Sequence, residues 1–242
     1  MKFFKMFIIG LLFFSVNLFA ANDDWDDVNF SSQAEFDDFA KDLGGTLNFN
    51  ALGPAAPLGI LGFDVAAGMS VTSFSTGYLD KVGAEHSDTL VFAKVQVQKG
   101  LPLGIDIGLS RSSAINSNVV KTGGFISYAI LKGGIATPAI NTRFSMSKLS
   151  NVDVLEFSSQ TLEVSISKGI TIVTPFVGAG AVRSKTRATV ANRGGVDLKE
   201  SSSTQGKYFA GINMNLLFMD ILVQYTKVGE SSTSALKLGF RF

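Results

Sequence analysis

From residue 62 to residue 242 the chain is written almost continuously in period two. Ten segments alternate apolar residues with small or polar ones: 62–73, 89–98, 103–112, 121–131, 138–148, 156–167, 171–183, 206–217, 220–227 and 234–242. Successive side chains of a strand point to opposite sides, so this pattern describes strands with one apolar and one polar face. The final stretch, Ser234-Ala-Leu-Lys-Leu-Gly-Phe-Arg-Phe242, is the clearest case, with Leu236, Leu238, Phe240 and Phe242 on one face. Such a face is too large and regular for a sheet edge in water. The connections alternate as well. The odd ones (74–88, 113–120, 149–155, 184–205, 228–233) are on average longer than the even ones (99–102, 132–137, 168–170, 218–219). Long loops at one end and short turns at the other suit a transmembrane barrel better than a soluble sandwich.

A last strand that ends on an aromatic resembles the closing strand of bacterial outer-membrane β-barrels, where that strand is an assembly signal; Phe242 and Phe240 are the matching residues here. The resemblance implies an all-β, closed antiparallel transmembrane β-barrel of about ten strands (twelve possible) over residues 62–242. It also implies the outer membrane of a Gram-negative bacterium, with membrane lipid and the barrel-assembly machinery as partners and a monomer as the expected state. An even strand number places both termini on the periplasmic side.

The N-terminus agrees. Lys2 and Lys5 precede the apolar run Met6–Val16, and Asn17-Leu-Phe-Ala20 offers a cleavage site, so residues 1–20 read as a signal peptide cut near Ala20. No later apolar run is long enough for a transmembrane helix. Cysteine is absent, which removes disulfides, lipoprotein anchoring and thiolate chemistry. Residues 21–61 read as an acidic leader. Its first part, 22–32, is polar; a short amphipathic helix over 33–43 follows, with Phe36, Phe39, Ala40 and Leu43 on one face and Gly44-Gly45 as its stop; Gly53-Pro-Ala-Ala-Pro57 forms a linker. Residues 22–43 carry a net −7 and residues 44–242 a net +6, which suggests that the leader contacts the barrel. It could plug the lumen, sit at the periplasmic mouth, or cover the first strand.

Parity assigns the faces. Phe63, Val65, Met69, Val95, Leu109, Phe144, Leu162, Ile212, Val223 and Leu236 are among the residues expected toward lipid, with Phe74, Phe157, Tyr225 and Phe242 as interfacial aromatics. Segment 121–131 is apolar on both faces, and Pro175 calls for a bulge or a later strand start.

The opposite parity puts Asp64, Lys94, Asp106, Arg143, Glu163, Lys237 and Arg241 in the lumen. Charges in so narrow a space need partners. Hairpin arithmetic suggests Lys94 with Asp106 and Arg143 with Glu163, and closure of the barrel suggests Asp64 with Arg241. These residues could be structural ion pairs or a selectivity lining. A basic set near the fourth long loop, Arg183, Lys185, Arg187, Arg193, Lys199 and Lys207, could meet lipopolysaccharide phosphates. The single histidine, His86, lies in Glu85-His-Ser-Asp88, and neighbouring loop positions do not make a nucleophile–base relay. No cofactor motif, metal-ligand spacing or nucleic-acid-binding pattern occurs. The expectation is a non-enzymatic barrel: a narrow pore or transporter for small solutes or apolar molecules, or alternatively a non-transporting structural or surface-interaction barrel.

Overall fold

The computed structural model describes residues 25–28, 30–74, 89–115, 117–189 and 197–242. The signal segment, His86 and Arg193 lie outside them.

Ten strands form: β1 (Phe63–Ser73), β2 (Thr89–Leu101), β3 (Ile105–Ala114), β4 (Val120–Lys132), β5 (Ala139–Ser150), β6 (Leu155–Ser167), β7 (Val173–Ala188), β8 (Ser201–Leu216), β9 (Met219–Val228) and β10 (Ser231–Arg241). Each pairs antiparallel with its sequence neighbours, and β1 pairs with β10 to close the barrel. Closure leaves no unpaired edge, which backbone in hydrocarbon requires. At the seam, Phe63 N–H donates to the Phe242 carbonyl at 2.9 Å and Phe242 N–H to the Phe63 carbonyl at 2.8 Å. The terminal aromatic therefore extends the closing ladder beyond Arg241.

The faces expected on eight strands hold apart from Phe157, and β4 and β7, for which none was assigned, alternate in the same way. Met69, Leu109, Phe144, Leu162, Val223 and Leu236 are among the outward residues, each exposed. Most of their inward neighbours are buried. On β4, Phe125, Ser127 and Ala129 point inward and Ile126, Tyr128 and Ile130 outward. Inward Phe125 packs on Phe49 in the lumen, and a register shift between Ala129 and Leu131 leaves both Ile130 and Leu131 exposed. Pro175 lies inside β7, which starts at Val173 without a bulge. Its carbonyl accepts from Lys168 just past the end of β6, so the missing N–H faces a side where the ladder has already stopped.

Several expectations need correction. Most strands run further than their alternation, so only 74–88 and 189–200 remain long connections, both at the same end of the barrel. Phe74 and Phe157 are not interfacial aromatics; both are buried beneath the N-terminal segment. From Trp25 onward the leader is held against the barrel. Trp25–Asp27 makes a 3-10 turn, and Asp26 accepts hydrogen bonds from the Asp153 and Val154 amides. The helix α1 (Gln33–Thr46) continues through Gly44-Gly45. Ser32 caps its N-terminus by accepting from the Glu35 amide, and Leu47 N–H returns to the Leu43 carbonyl at its end.

The two glycines serve close approach. A Cβ on Gly45 would lie 2.7 Å from Ser231 Cβ and 3.1 Å from the Val228 carbonyl; one on Gly44 would lie 2.8 Å from Gln205 Nε2. Helix α1 is thereby seated against β7–β10 at the long-connection mouth. Its apolar face, Phe36, Phe39 and Leu43, joins Trp25, Phe30, Phe92 and Phe157 in one buried cluster that caps this mouth. Each such side chain contributes roughly 1.5–3 kcal/mol on burial.

Candidate functional site

From Leu47 the chain enters the barrel, traverses it, and leaves at the short-turn mouth, where Gly59 (φ 79) turns it toward β1. This plug, residues 47–58, has no regular structure, so its backbone groups must find partners in the barrel wall. The lining polar side chains supply them.

Three lysines grip its upper part through carbonyl oxygens. Lys121 donates to the Thr46 and Asn48 carbonyls, both at 3.2 Å, Lys207 donates to the Phe49 carbonyl at 2.8 Å, and Lys94 to the Asn50 carbonyl. The end of α1 directs free carbonyls and the negative end of its dipole toward this cluster. Gln96 brackets Leu52: its Nε2 donates to the Leu52 carbonyl at 3.2 Å and its Oε1 accepts from the Leu52 amide at 3.4 Å. Lower down, the Ala55 amide donates to Ser167 Oγ at 3.1 Å, and the Leu58 amide to both Asp106 carboxylate oxygens at 3.1 and 3.2 Å. Apolar plug residues find apolar layers. Phe49 packs on Phe125, and Leu52 on Phe176, Phe209 and Leu222. A cavity of about 20 Å³ beside Asn50, Lys94 and Lys121 has room for about one water.

Two ion-pair clusters occupy the wall around the plug. Glu163 sits between Arg143 (Nη1–Oε1 2.8 Å) and Lys207 (Nζ–Oε2 2.9 Å). Lys237 lies 3.2 Å from Asp64 and 2.8 Å from Asp220, while Arg241 Nη2 reaches Asp64 at 3.3 Å. The Lys207–Glu163 and Lys237–Asp220 contacts are close ion pairs set off the hydrogen-bond axis of the carboxylate oxygen.

All seven expected lumenal residues point inward, and two of the three expected pairs form. Arg143 and Glu163 are directly opposite rather than diagonal, and Asp64 meets Arg241 across the seam. Lys94 and Asp106 do not pair. The β2–β3 hairpin turns at Pro102–Gly104, with Leu103 and Gly104 at positive φ, so Lys94 faces Ser112 and Asp106 faces Gly100. Lys94 is then six positions from Asp106 along β3, roughly 20 Å at ~3.3 Å per residue. Both turn to the plug instead.

Sequence reasoning missed three lumenal charges. Lys207 was assigned to the basic loop, yet it is inward on β8 and only 1% exposed; its parity against Tyr208 was the available signal. Asp220 sits one position before outward Ile221, and Lys121 was hidden by the ambiguous face of β4. Of the remaining basic-loop residues, Arg183, Lys185 and Arg187 stand exposed on the outer face of β7, and Lys199 is exposed before β8. Glu200 pairs with Lys185 at 3.2 Å and Arg187 at 3.1 Å. The hydrogen bond and charge of Lys185, then Arg187, hold the Glu200 carboxyl below its usual range. Among the described residues, no group of three His, Cys, Asp or Glu side chains could hold a metal ion.

No protein-family model matches the sequence, and no curated protein matches it. Solved structures that it resembles include the N-terminal β-barrel domain of Pseudomonas aeruginosa OprF (13% identity, 76% of this chain and 99% of that one, TM-score 0.34). Another is the attachment invasion locus protein Ail of Yersinia pestis, in complex with the heparin analogue sucrose octasulfate (14%, 75% and 98%, TM-score 0.33). A third is the KdgM porin (10%, 75% and 99%, TM-score 0.38). These bacterial barrels differ in what their names describe, and likeness at this level carries no argument about the activity of this chain.

Proposed function

We propose that this chain is a Gram-negative outer-membrane β-barrel held closed by its own N-terminal segment, acting as a non-enzymatic surface-interaction scaffold rather than a standing pore. The observation that carries the reading is the filled lumen. Residues 47–58 bond to wall side chains on β2, β3, β5, β6, β8 and β9, and α1 with Trp25 covers one mouth. The continuous outward apolar face supports membrane residence, because monomeric soluble proteins do not leave so large a surface uncovered. Exposed Tyr208 and Tyr225 toward one end, and Phe63, Tyr128 and Phe218 toward the other, suit interfacial girdles. Outward Arg183, Lys185, Arg187 and Lys199 would lie where lipopolysaccharide phosphates meet the barrel.

The test is conductance. Refolded full-length chain in a planar bilayer is expected to be electrically silent, and a steady open channel would overturn the closed-barrel reading. A second reading, gated transport, is favoured by one observation. Lys94 and Lys121 grip carbonyls of the plug segment rather than wall carboxylates, so displacement of the plug would uncover a basic, anion-favouring track. Openings that appear only under strong applied voltage, with anion-selective reversal potentials, would favour that reading.

A further inference from the structure

Ten strands return the chain to the side from which β1 started, so the ends of the barrel share one mouth. Phe63 and Phe242 bear this out, hydrogen-bonded together at the short-turn end. The plug then adds one more passage. Leu58 and Gly59 lie at that same mouth, whereas Leu47 meets Ser147 near the opposite end. Helix α1 and Trp25 are farther out in the same direction. Trp25 N–H donates to Asn118 Oδ1 in the β3–β4 connection at 3.2 Å, and the Lys199 amide before β8 donates to Gln33 Oε1 at 2.8 Å.

We propose that the chain crosses the membrane an eleventh time, lengthwise through its own barrel, so that Trp25 and α1 are displayed on the cell's outer face while Phe242 stays on the periplasmic one. The proposal rests on the membrane-barrel reading above. Its direction follows from the two long connections, 74–88 and 189–200, which both lie at the α1 mouth, since outer-membrane barrels carry longer loops outside and shorter turns in the periplasm. It corrects the expectation that both ends of the chain share a side. That holds for the strands and fails for the segment ahead of them. The outer surface of the molecule is then built partly by the exposed face of α1, with Asp37, Asp38 and Lys41, and not by interstrand loops alone. The barrel would act as the conduit by which its own N-terminal part reaches the outside, and the lysine–carbonyl grip would hold it there.

The absence of cysteine makes the test clean. Two single-cysteine variants of the full chain suffice: Asp38→Cys on the exposed face of α1, and Ile135→Cys, fully exposed in the β4–β5 turn. Each is produced in a Gram-negative host and treated with a membrane-impermeant maleimide, on intact cells and after permeabilising the outer membrane. The expected result is labelling of Asp38→Cys on intact cells and of Ile135→Cys only after permeabilisation. An unlabelled Asp38→Cys, or a labelled Ile135→Cys, on intact cells overturns the topology and leaves the closed-barrel reading to the conductance test. Failure of both variants to fractionate with the outer membrane overturns the membrane reading, and the topology with it.

Discussion

Lys207 and Phe49 are 158 positions apart in the chain, yet the lysine ammonium donates a 2.8 Å hydrogen bond to the phenylalanine carbonyl. The same ammonium lies 2.9 Å from Glu163. One buried side chain thus joins the plug to the wall's ion-pair cluster. Removing one member of a buried pair costs more than the pair contributes, because the partner charge stays behind. Lys207→Met is expected to destabilise the barrel by about 3–5 kcal/mol, whereas Lys199→Ala, at an exposed position, should stay within about 0.5 kcal/mol. Urea unfolding of refolded protein in detergent measures both. Equal midpoints for the two variants would refute the linking role.

Gly45 tests how α1 is seated. Gly45→Val places methyl groups against Ser231 and the Val228 carbonyl, where even a Cβ lies too close. The expected outcome is an unseated helix on an intact barrel: faster proteolysis within 25–58, with the heat-sensitive electrophoretic shift of the folded barrel unchanged. Protection equal to that of the parent would remove the close-approach argument.

The chain has one tryptophan, and Trp25 is fully buried, 5.9 Å from the Phe39 ring and 6.3 Å from that of Phe74. Its fluorescence should therefore be blue-shifted in the folded protein. Phe39→Ala, a large-to-small change in this cluster, should cost about 3–5 kcal/mol and move the emission to the red. Unchanged emission would mean that the cap does not depend on this contact.

Glu200, just ahead of β8, provides a pH prediction. Its folded pKa is depressed by Lys185 and then Arg187. The pairing is therefore fully present above the unfolded pKa of about 4.3 and is lost as pH falls through the lower folded value. Carboxyl NMR should find Glu200 titrating below a free glutamate, and Lys185→Ala should move it back up. Because the pair is exposed, global stability should hardly change.

The correct and the failed expectations have distinct physical origins. Parity along a strand is local: Arg143, Glu163, Lys237 and Arg241 alternate with outward Phe144, Leu162, Leu238 and Phe240. An apolar outer surface and a packed polar lumen demand opposite side chains at neighbouring positions, so strand number and facing are legible in one dimension. The Asp64–Arg241 contact was also accessible, since closing an even-stranded barrel brings its first and last strands together. Hairpin register was not. The Leu103 and Gly104 turn displaced Lys94 from Asp106, and nothing in the alternation records where a turn reverses.

Least legible was the plug. Residues 47–58 carry only a weak alternation, over Leu47 to Ala51, and form no repeating structure, and their partners lie on strands scattered through the chain. The sequence by itself determined a barrel of about ten strands with a charged interior and an acidic, part-helical leader. Only the tertiary structure decided that the leader passes through that interior and that lysines bind its carbonyls. The reason is that the plug has no ladder of its own, so partners for its backbone groups come from the three-dimensional arrangement of the wall around it.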